Sequence, residues 1–142
     1  MRTIAAMPVQ LDHTIVPSRT QVKSAQLLGE LLGVEWAARA LGPFSPVFVN
    51  DGLTLDFQDT TEAFPVYHFA FRVSDEEFDA ILGRLEDRGI AWRSTVFGPV
   101  DHQVDTRFGG RIAYWNVPDG HMWEILTVSY ARSQPPAPKG TA

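Results

Sequence analysis

The sequence predicts an α+β fold made of two βαβββ modules, and three observations support this prediction. Each half of the chain carries a helix-capping motif that opens a one-sided apolar helix pattern. Each helix pattern is followed by stretches in which apolar residues alternate. The third observation is a repeat at an offset of 56 residues, in which Ser18, Gln21, Glu30, Gly33 and Trp36 return as Ser74, Glu77, Glu86, Gly89 and Trp92. A doubled supersecondary unit predicts two pseudo-symmetric modules whose matching residues can contribute to one site.

The first module is predicted to begin with a short apolar strand over 11–16 that ends at Pro17. Ser18 and Gln21 form an S-x-x-Q capping box, so a helix is predicted from there to Leu32, with Gly33 as its stop. Period-two patterns and an Asn-Asp-Gly turn then predict three strands, near 35–39, 44–49 and 53–58.

The second module repeats this order. An alternating strand is predicted over 66–73, and Ser74 with Glu77 forms an S-x-x-E box before a helix that stops at Gly89. The strands that follow are predicted near 91–96, 111–116 and 121–128, the last two joined by a Pro-Asp-Gly turn. The stretch 98–110 is a long loop, and loops of that length in a compact domain are usually functional or mobile.

The composition fits one globular domain, since 44% of the 142 residues are hydrophobic and 20% are charged. We expect this domain to span 1–130, with modules at about 9–60 and 64–130, and the Pro-rich residues 131–142 to form a disordered tail. The apolar runs are too short for a membrane span, and the apolar stretch near the N-terminus is too short for a secretory signal. These features predict a cytoplasmic protein without a membrane partner.

Charge and cysteine content narrow the chemistry. The net charge is −5 and the 12 Lys and Arg residues are scattered, so no nucleic-acid partner is expected. The chain has no cysteine, and a metal ion would therefore have to be held by histidine and carboxylate. Such a ligand set suits Fe(II), Mn(II), Ni(II), Co(II) or catalytic Zn(II).

Four side chains of this kind stand on predicted strands. Alternation places His13, His68 and Glu124 among apolar neighbours, where a polar group needs a partner. Asp56 lies on the last strand of the first module, as Glu124 does in the second. Each has a simpler explanation: a lone histidine often bonds to the backbone, Glu124 could be partly solvated, and Asp56 could face water. The conjunction of two matched histidines with a carboxylate favours a metal site.

Three segments carry a resemblance to a known family. They are LDH at 11–13, YHFAFRV at 67–73 and PDGHMWEI at 118–125. In this order around a doubled βαβββ unit they resemble the vicinal-oxygen-chelate superfamily. Its members include glyoxalase I, extradiol dioxygenases, methylmalonyl-CoA epimerase, fosfomycin-resistance transferases and bleomycin-resistance proteins. The resemblance covers the chain up to about Tyr130.

This resemblance implies a curved mixed sheet, open as a half-barrel around a metal site. It implies one divalent ion, held by His13, His68 and Glu124. Glyoxalase I and the epimerase add a Glu or Gln on the last strand of the first module, where this chain has the shorter Asp56 as a possible fourth ligand. Relatives of this kind also usually pair two-fold, so the resemblance implies a homodimer.

Further residues resemble the catalytic groups of the extradiol dioxygenases. Tyr114 precedes Glu124 by the interval at which those enzymes carry a tyrosine that donates to the bound substrate, and His102 is the upstream acid/base candidate. A core role for the Tyr114 ring is the alternative. Arg107 and Arg111 flank a glycine pair, where they are predicted to bind a substrate carboxylate or phosphate unless they are solvated loop charges.

The functional prediction is a divalent-metal-dependent enzyme, with Fe(II) favoured, that carries out dioxygenase-like chemistry. Its substrate would be a small catechol-like molecule that binds through two oxygens. Two alternatives stay open. One is glyoxalase- or epimerase-like proton transfer, with Asp56 or Glu124 as the base. The other is a metal-free drug-binding protein like the bleomycin-resistance members, which commonly lack the His/His/Glu set.

Overall fold

A computed structural model describes residues 8–40 and 42–132, and the chain divides into two compact units, Met1–Pro65 and Val66–Ala142. The elements of the first unit are β1 (His13–Ser18), α1 (Gln21–Leu32), β2 (Ser45–Asn50) and β3 (Leu53–Asp59). Those of the second are β4 (His68–Arg72), α2 (Asp75–Asp87), β5 (Ile112–Trp115), β6 (Met122–Leu126) and a 3₁₀ helix (Tyr130–Arg132).

Both units have the same topology. The strand order is β1-β3-β2 in the first sheet and β4-β6-β5 in the second. The central strand of each sheet is the last one in the sequence. In the first sheet β3 is parallel to β1 and antiparallel to β2, and in the second β6 is parallel to β4 and antiparallel to β5. Each sheet is therefore mixed and open, which confirms the predicted α+β fold of two related modules.

In both units one face of the sheet carries buried apolar side chains, and in the second unit the β5 and β6 residues of the other face are buried as well. In the first unit the fully buried apolar side chains on β1, β3 and α1 are Val16, Leu55, Phe57, Ala25, Leu28 and Leu31. In the second the buried apolar side chains include Phe78, Ile81 and Leu85 on α2, and Trp115, Trp123 and Ile125 on the sheet. Burial of one such side chain contributes about 1.5–3 kcal/mol. Because side chains alternate along a strand, the histidines and carboxylates singled out above lie on the opposite faces.

The capping box predicted for Ser18 and Gln21 is wrong. The N-cap of α1 is Thr20, which makes no side-chain cap bond. Ser18 instead ends β1, where it is fully buried and its hydroxyl donates to Ser24 Oγ at 3.0 Å. The Gln21 backbone N–H donates to the Asp59 carboxylate at 2.7 Å, and Gln21 Oε1 accepts from the Asp59 backbone N–H at 2.8 Å. Pairing with the distant β3 replaces the local cap.

The capping box of the second module is confirmed. Glu77 N–H donates to Ser74 Oγ at 3.1 Å, and Ser74 N–H donates to Glu77 Oε1 at 3.0 Å. Both bonds satisfy amide groups that have no partner within the helix. The helix stops with Gly89 at a φ of 64°, as predicted.

The strand predicted at 35–39 is reduced to one antiparallel bridge, between Trp36 and Val47. Ala37 N–H donates to the Pro46 carbonyl at 3.0 Å. The reciprocal bond cannot form because proline has no N–H, so the ladder ends there.

The strand predicted at 91–96 is likewise a single bridge, between Arg93 and Tyr114. Beyond it the free edge of β5 is taken by the loop, since Asp105 and Ile112 exchange both backbone hydrogen bonds, at 3.0 and 2.9 Å. A strand continuing from Arg93 has no partner left at that edge.

The secretory-signal and tail predictions concern segments that reach beyond the described residues, which exclude 1–7 and 133–142. Within residues 8–40 and 42–132, the helices are too short and too polar to cross a membrane.

Replacing Ser74 with Ala is expected to lower the free energy of unfolding by about 1 kcal/mol, because the α2 cap bond is lost. The matched control is Thr20→Ala, which removes an N-cap side chain that makes no cap bond. Chemical denaturation measures both. Equal losses in the two variants would show that the Ser74 bond does not stabilise α2.

Candidate metal centre and cavity

His68 and Glu124 form the centre of the candidate site. Ala70 pairs with Glu124 and His68 with Met122, so the two residues lie on the same face of the sheet. The Glu124 side chain is fully buried, whereas that of His68 is 41% exposed. His68 Nε2 lies 2.7 Å from Glu124 Oε1, a hydrogen-bond distance. A buried carboxylate is thus joined to an imidazole that reaches the surface.

The two oxygens of Glu124 differ in their partners. Tyr130 Oη also donates to Oε1, at 3.0 Å. Oε2 is buried and has no hydrogen-bond partner among the residues that the structure describes. A buried carboxylate oxygen without a partner is costly, and a cation would satisfy it. The donor set of one imidazole nitrogen and one carboxylate therefore fits a divalent ion.

This pair supplies part of a ligand set. Within 8–40 and 42–132 no three His, Asp or Glu residues gather closely enough to hold a metal ion. The predicted ligands of the first unit, His13 and Asp56, share a face of their own sheet, because Ile15 pairs with Asp56 and His13 with Thr54.

Hydrogen bonding and burial set the charge states in the first unit. His13 is exposed, and its Nδ1 lies 2.7 Å from Asp12 Oδ2, which raises the pKa of His13. Partial burial raises the pKa of Asp56, and nearby His13 opposes this.

Tyr114 lies beside the His68–Glu124 pair. It is opposite Glu124 in the register of β5 and β6, and its ring meets that of His68 edge-on, with centroids 6.3 Å apart. Burial raises the pKa of Tyr114 well above its ordinary value, and the charge of Glu124 adds to the effect. Tyr114 also donates a hydrogen bond to Tyr130, whose own pKa is raised by burial and by Glu124. The two protonated phenols therefore form a hydrogen-bond chain, from Tyr114 to Tyr130 and from Tyr130 to the buried Glu124 carboxylate.

A cavity of about 400 Å³ opens on this group. His68, Tyr114 and Tyr130 line it, together with Arg107 and Phe108 from the loop at 98–110. The Phe108 and Tyr130 rings are tilted against each other with centroids 5.5 Å apart. The loop therefore contributes an aromatic wall.

Asp105 fixes this loop. Its carboxylate is 5% exposed and accepts from Arg107 Nε at 3.0 Å and from Arg107 Nη2 at 2.8 Å. The Arg107 guanidinium lowers the pKa of Asp105. Arg107 lines the cavity, as a substrate-binding residue should, but its charge is already matched by Asp105.

His102 and Arg111 lie elsewhere. His102 Nδ1 is 2.9 Å from Glu86 Oε1. Arg111 donates to Asp75 Oδ1 at 3.1 Å and to Asp79 Oδ1 at 2.6 Å, both on α2. Neither lines the cavity just described. Their catalytic and substrate-binding roles stay predictions.

Sequence reasoning missed Tyr130 and Asp105. Tyr130 lies beyond the end of β6, where alternation no longer tells in which direction a side chain points. Asp105 lies within a long loop and is buried only because its backbone pairs with β5. A short Asp-x-Arg spacing was the one signal for the latter in the sequence.

The solved structures most similar to this chain include two oxidases. Oxidase ChaP-H2 is 38% identical, over 90% of this chain and 100% of that chain, with a TM-score of 0.83. Oxidase ChaP-H1 is 40% identical, over 87% and 98%, with a TM-score of 0.80. A glyoxalase/dioxygenase from Nostoc punctiforme shares the fold, with 20% identity over 88% and 98% and a TM-score of 0.61. No family model and no curated protein matches the chain.

A doubled module with an imidazole–carboxylate pair on the open face of a mixed sheet defines a class of enzymes that generally use a divalent metal. The chain belongs to the vicinal-oxygen-chelate superfamily. This confirms the family indicated by the sequence segments.

The raised pKa of Tyr114 has a measurable consequence in chelator-treated protein. The neutral phenol is favoured on folding, so this stabilisation is present below the ordinary pKa near 10 and is lost as pH rises through the folded-state pKa. Tyr114→Phe is therefore expected to leave the phenolate absorbance of the folded protein unchanged up to about pH 10. Spectrophotometric titration compares the two proteins. A smaller phenolate signal in the variant at that pH would contradict the assignment.

Proposed function

We propose that this protein is a divalent-metal-dependent oxidoreductase with dioxygenase-type chemistry on a small catechol-like substrate that binds through two adjacent oxygens. The observation that carries the proposal is the unpartnered Oε2 of buried Glu124, beside an exposed imidazole and two protonated phenols. The two similar oxidases support oxidation over the other reactions of the superfamily.

His68 and Glu124 are proposed to hold the ion, with Fe(II) favoured. The resemblance supplies His13 as the third ligand and Asp56 as a possible fourth. A bound divalent ion would act as a Lewis acid and as a template for the two substrate oxygens. Tyr130 orients Glu124 for metal binding, because its hydrogen bond to Oε1 fixes the carboxylate and leaves Oε2 without a partner among the described residues.

Tyr114 is proposed as a hydrogen-bond donor to a substrate oxygen. Its raised pKa keeps the proton on Oη at neutral pH, which suits a donor and does not suit a base. In this structure the single proton is directed at Tyr130, so a bound substrate oxygen would replace Tyr130 as its acceptor, while the ring packs edge-on to His68. His102, the separate acid/base candidate, is not among the residues that line this cavity.

Val96 and Phe108 contribute apolar side chains to the lining of the cavity. Phe108 packs on Tyr130, and Val96 packs against the buried apolar cluster that contains Tyr114. Removing water around a developing charge strengthens its interaction with a fixed donor.

Glyoxalase- or epimerase-like proton transfer is the second candidate function. One observation favours it: burial raises the pKa of Asp56, which brings this carboxylate closer to the range of a general base. A metal-free drug-binding protein is the third candidate and would carry no ion. A homodimer and a cytoplasmic location are proposed on the sequence alone.

Replacing Tyr114 with Phe is expected to lower turnover about 10²-fold, because one donor to the developing charge is lost while the ring still packs. Oxygen consumption on a panel of catechols measures this, and ion content is measured on the same samples. The matched control is Tyr67→Phe, since Tyr67 is 44% exposed and lies outside the cavity. Unchanged turnover with lowered thermal stability would mark Tyr114 as structural and would favour the proton-transfer candidate.

A further inference from the structure

The arginines near the site differ in whether they have acidic partners. The charge of Arg107 is matched by Asp105, and that of Arg111 by acidic residues of α2. Arg72, at the end of β4, is exposed, and its side chain makes no hydrogen bond or ion pair with the residues that the structure describes. It is therefore the arginine of this sheet whose guanidinium is available to a ligand.

Arg72 lies on the face of the sheet that carries the metal candidates. His68, Ala70 and Arg72 alternate along β4, and Ala70 pairs with Glu124. Two residues of a strand span about 7 Å, so the Arg72 backbone lies that far along the strand from the register of Glu124. A guanidinium at this position can reach a group on the same small molecule that Glu124 would help to hold.

A second cavity surrounds Arg72. Its volume is about 530 Å³, and its lining includes Ala70, Leu126, Ser129 and Tyr130. Tyr130 also lines the cavity beside Tyr114, so the two cavities share a wall. The neighbouring Ala70 and Leu126 are apolar, and a charge pair formed beside them is less screened than one in open water.

We propose that Arg72 is a substrate-binding residue that pairs with a carboxylate on the substrate, so that the preferred substrate is a catechol-like acid. This inference rests on the proposed function. The planar guanidinium can donate two parallel hydrogen bonds to the two oxygens of a carboxylate, which fixes the orientation of the substrate as well as its affinity. The site thereby selects acidic over neutral catechols.

The test compares two probes that differ only in a carboxylate, catechol and protocatechuate, with calorimetric titration of the metal-loaded protein. The wild type is expected to bind protocatechuate at least about 10-fold more tightly than catechol. Arg72→Gln should remove this preference while leaving the affinity for catechol in place, and Arg72→Lys should restore part of it. The matched control is Lys23→Gln, which removes the same charge from an exposed position on α1 in the first unit.

The outcomes separate this inference from the proposed function. Equal binding of both probes by the wild type, or a preference that survives Arg72→Gln, would overturn the Arg72 site and leave the catechol assignment standing. If neither probe binds, both proposals fail.

Discussion

The burial of the Glu124 carboxylate is the constraint on which the second unit depends. A charged group with no solvent exposure must find compensating partners, and Glu124 has two, both on one oxygen. His68 and Tyr130 are held in place by that oxygen, and Tyr114 is oriented in turn by Tyr130. The free Oε2 is what distinguishes this arrangement from an ordinary buried ion pair. A cation would complete it in a way that the described side chains do not.

The two units share a topology, but they differ in how deeply the carboxylate on the central strand is buried. Glu124 is fully buried, whereas Asp56 at the corresponding strand of the first unit is only partly so. The difference follows from the long connection before β5, which has no counterpart of that length in the first unit. This connection pairs with the edge of β5 and places Val96 and Phe108 over the face. The longer connection thus forms a cavity on one of two similar sheets.

The repeat and the alternation of side chains predicted the architecture and the common face of His68 and Glu124. Those features depend on local periodicity, which a sequence displays directly. The first capping box failed because Gln21 is drawn into bonds with Asp59, a residue distant in the chain. Tyr130 and Arg72 escaped notice for a related reason. Tyr130 matters because it bonds to the buried Glu124 carboxylate. Arg72 matters because a cavity surrounds it and because it lacks the acidic partners that Arg107 and Arg111 have.

The most direct test of the central claim is the metal content of protein purified without chelator. The account predicts about one divalent ion per chain in the wild type and loss of that ion in His68→Ala, because the imidazole that contacts Glu124 is proposed as one of its ligands. His102→Ala serves as the control and should keep the ion, since His102 bonds to Glu86 away from the cavity. Full occupancy in His68→Ala, or a wild-type protein that binds no divalent ion even when one is supplied, would contradict the account.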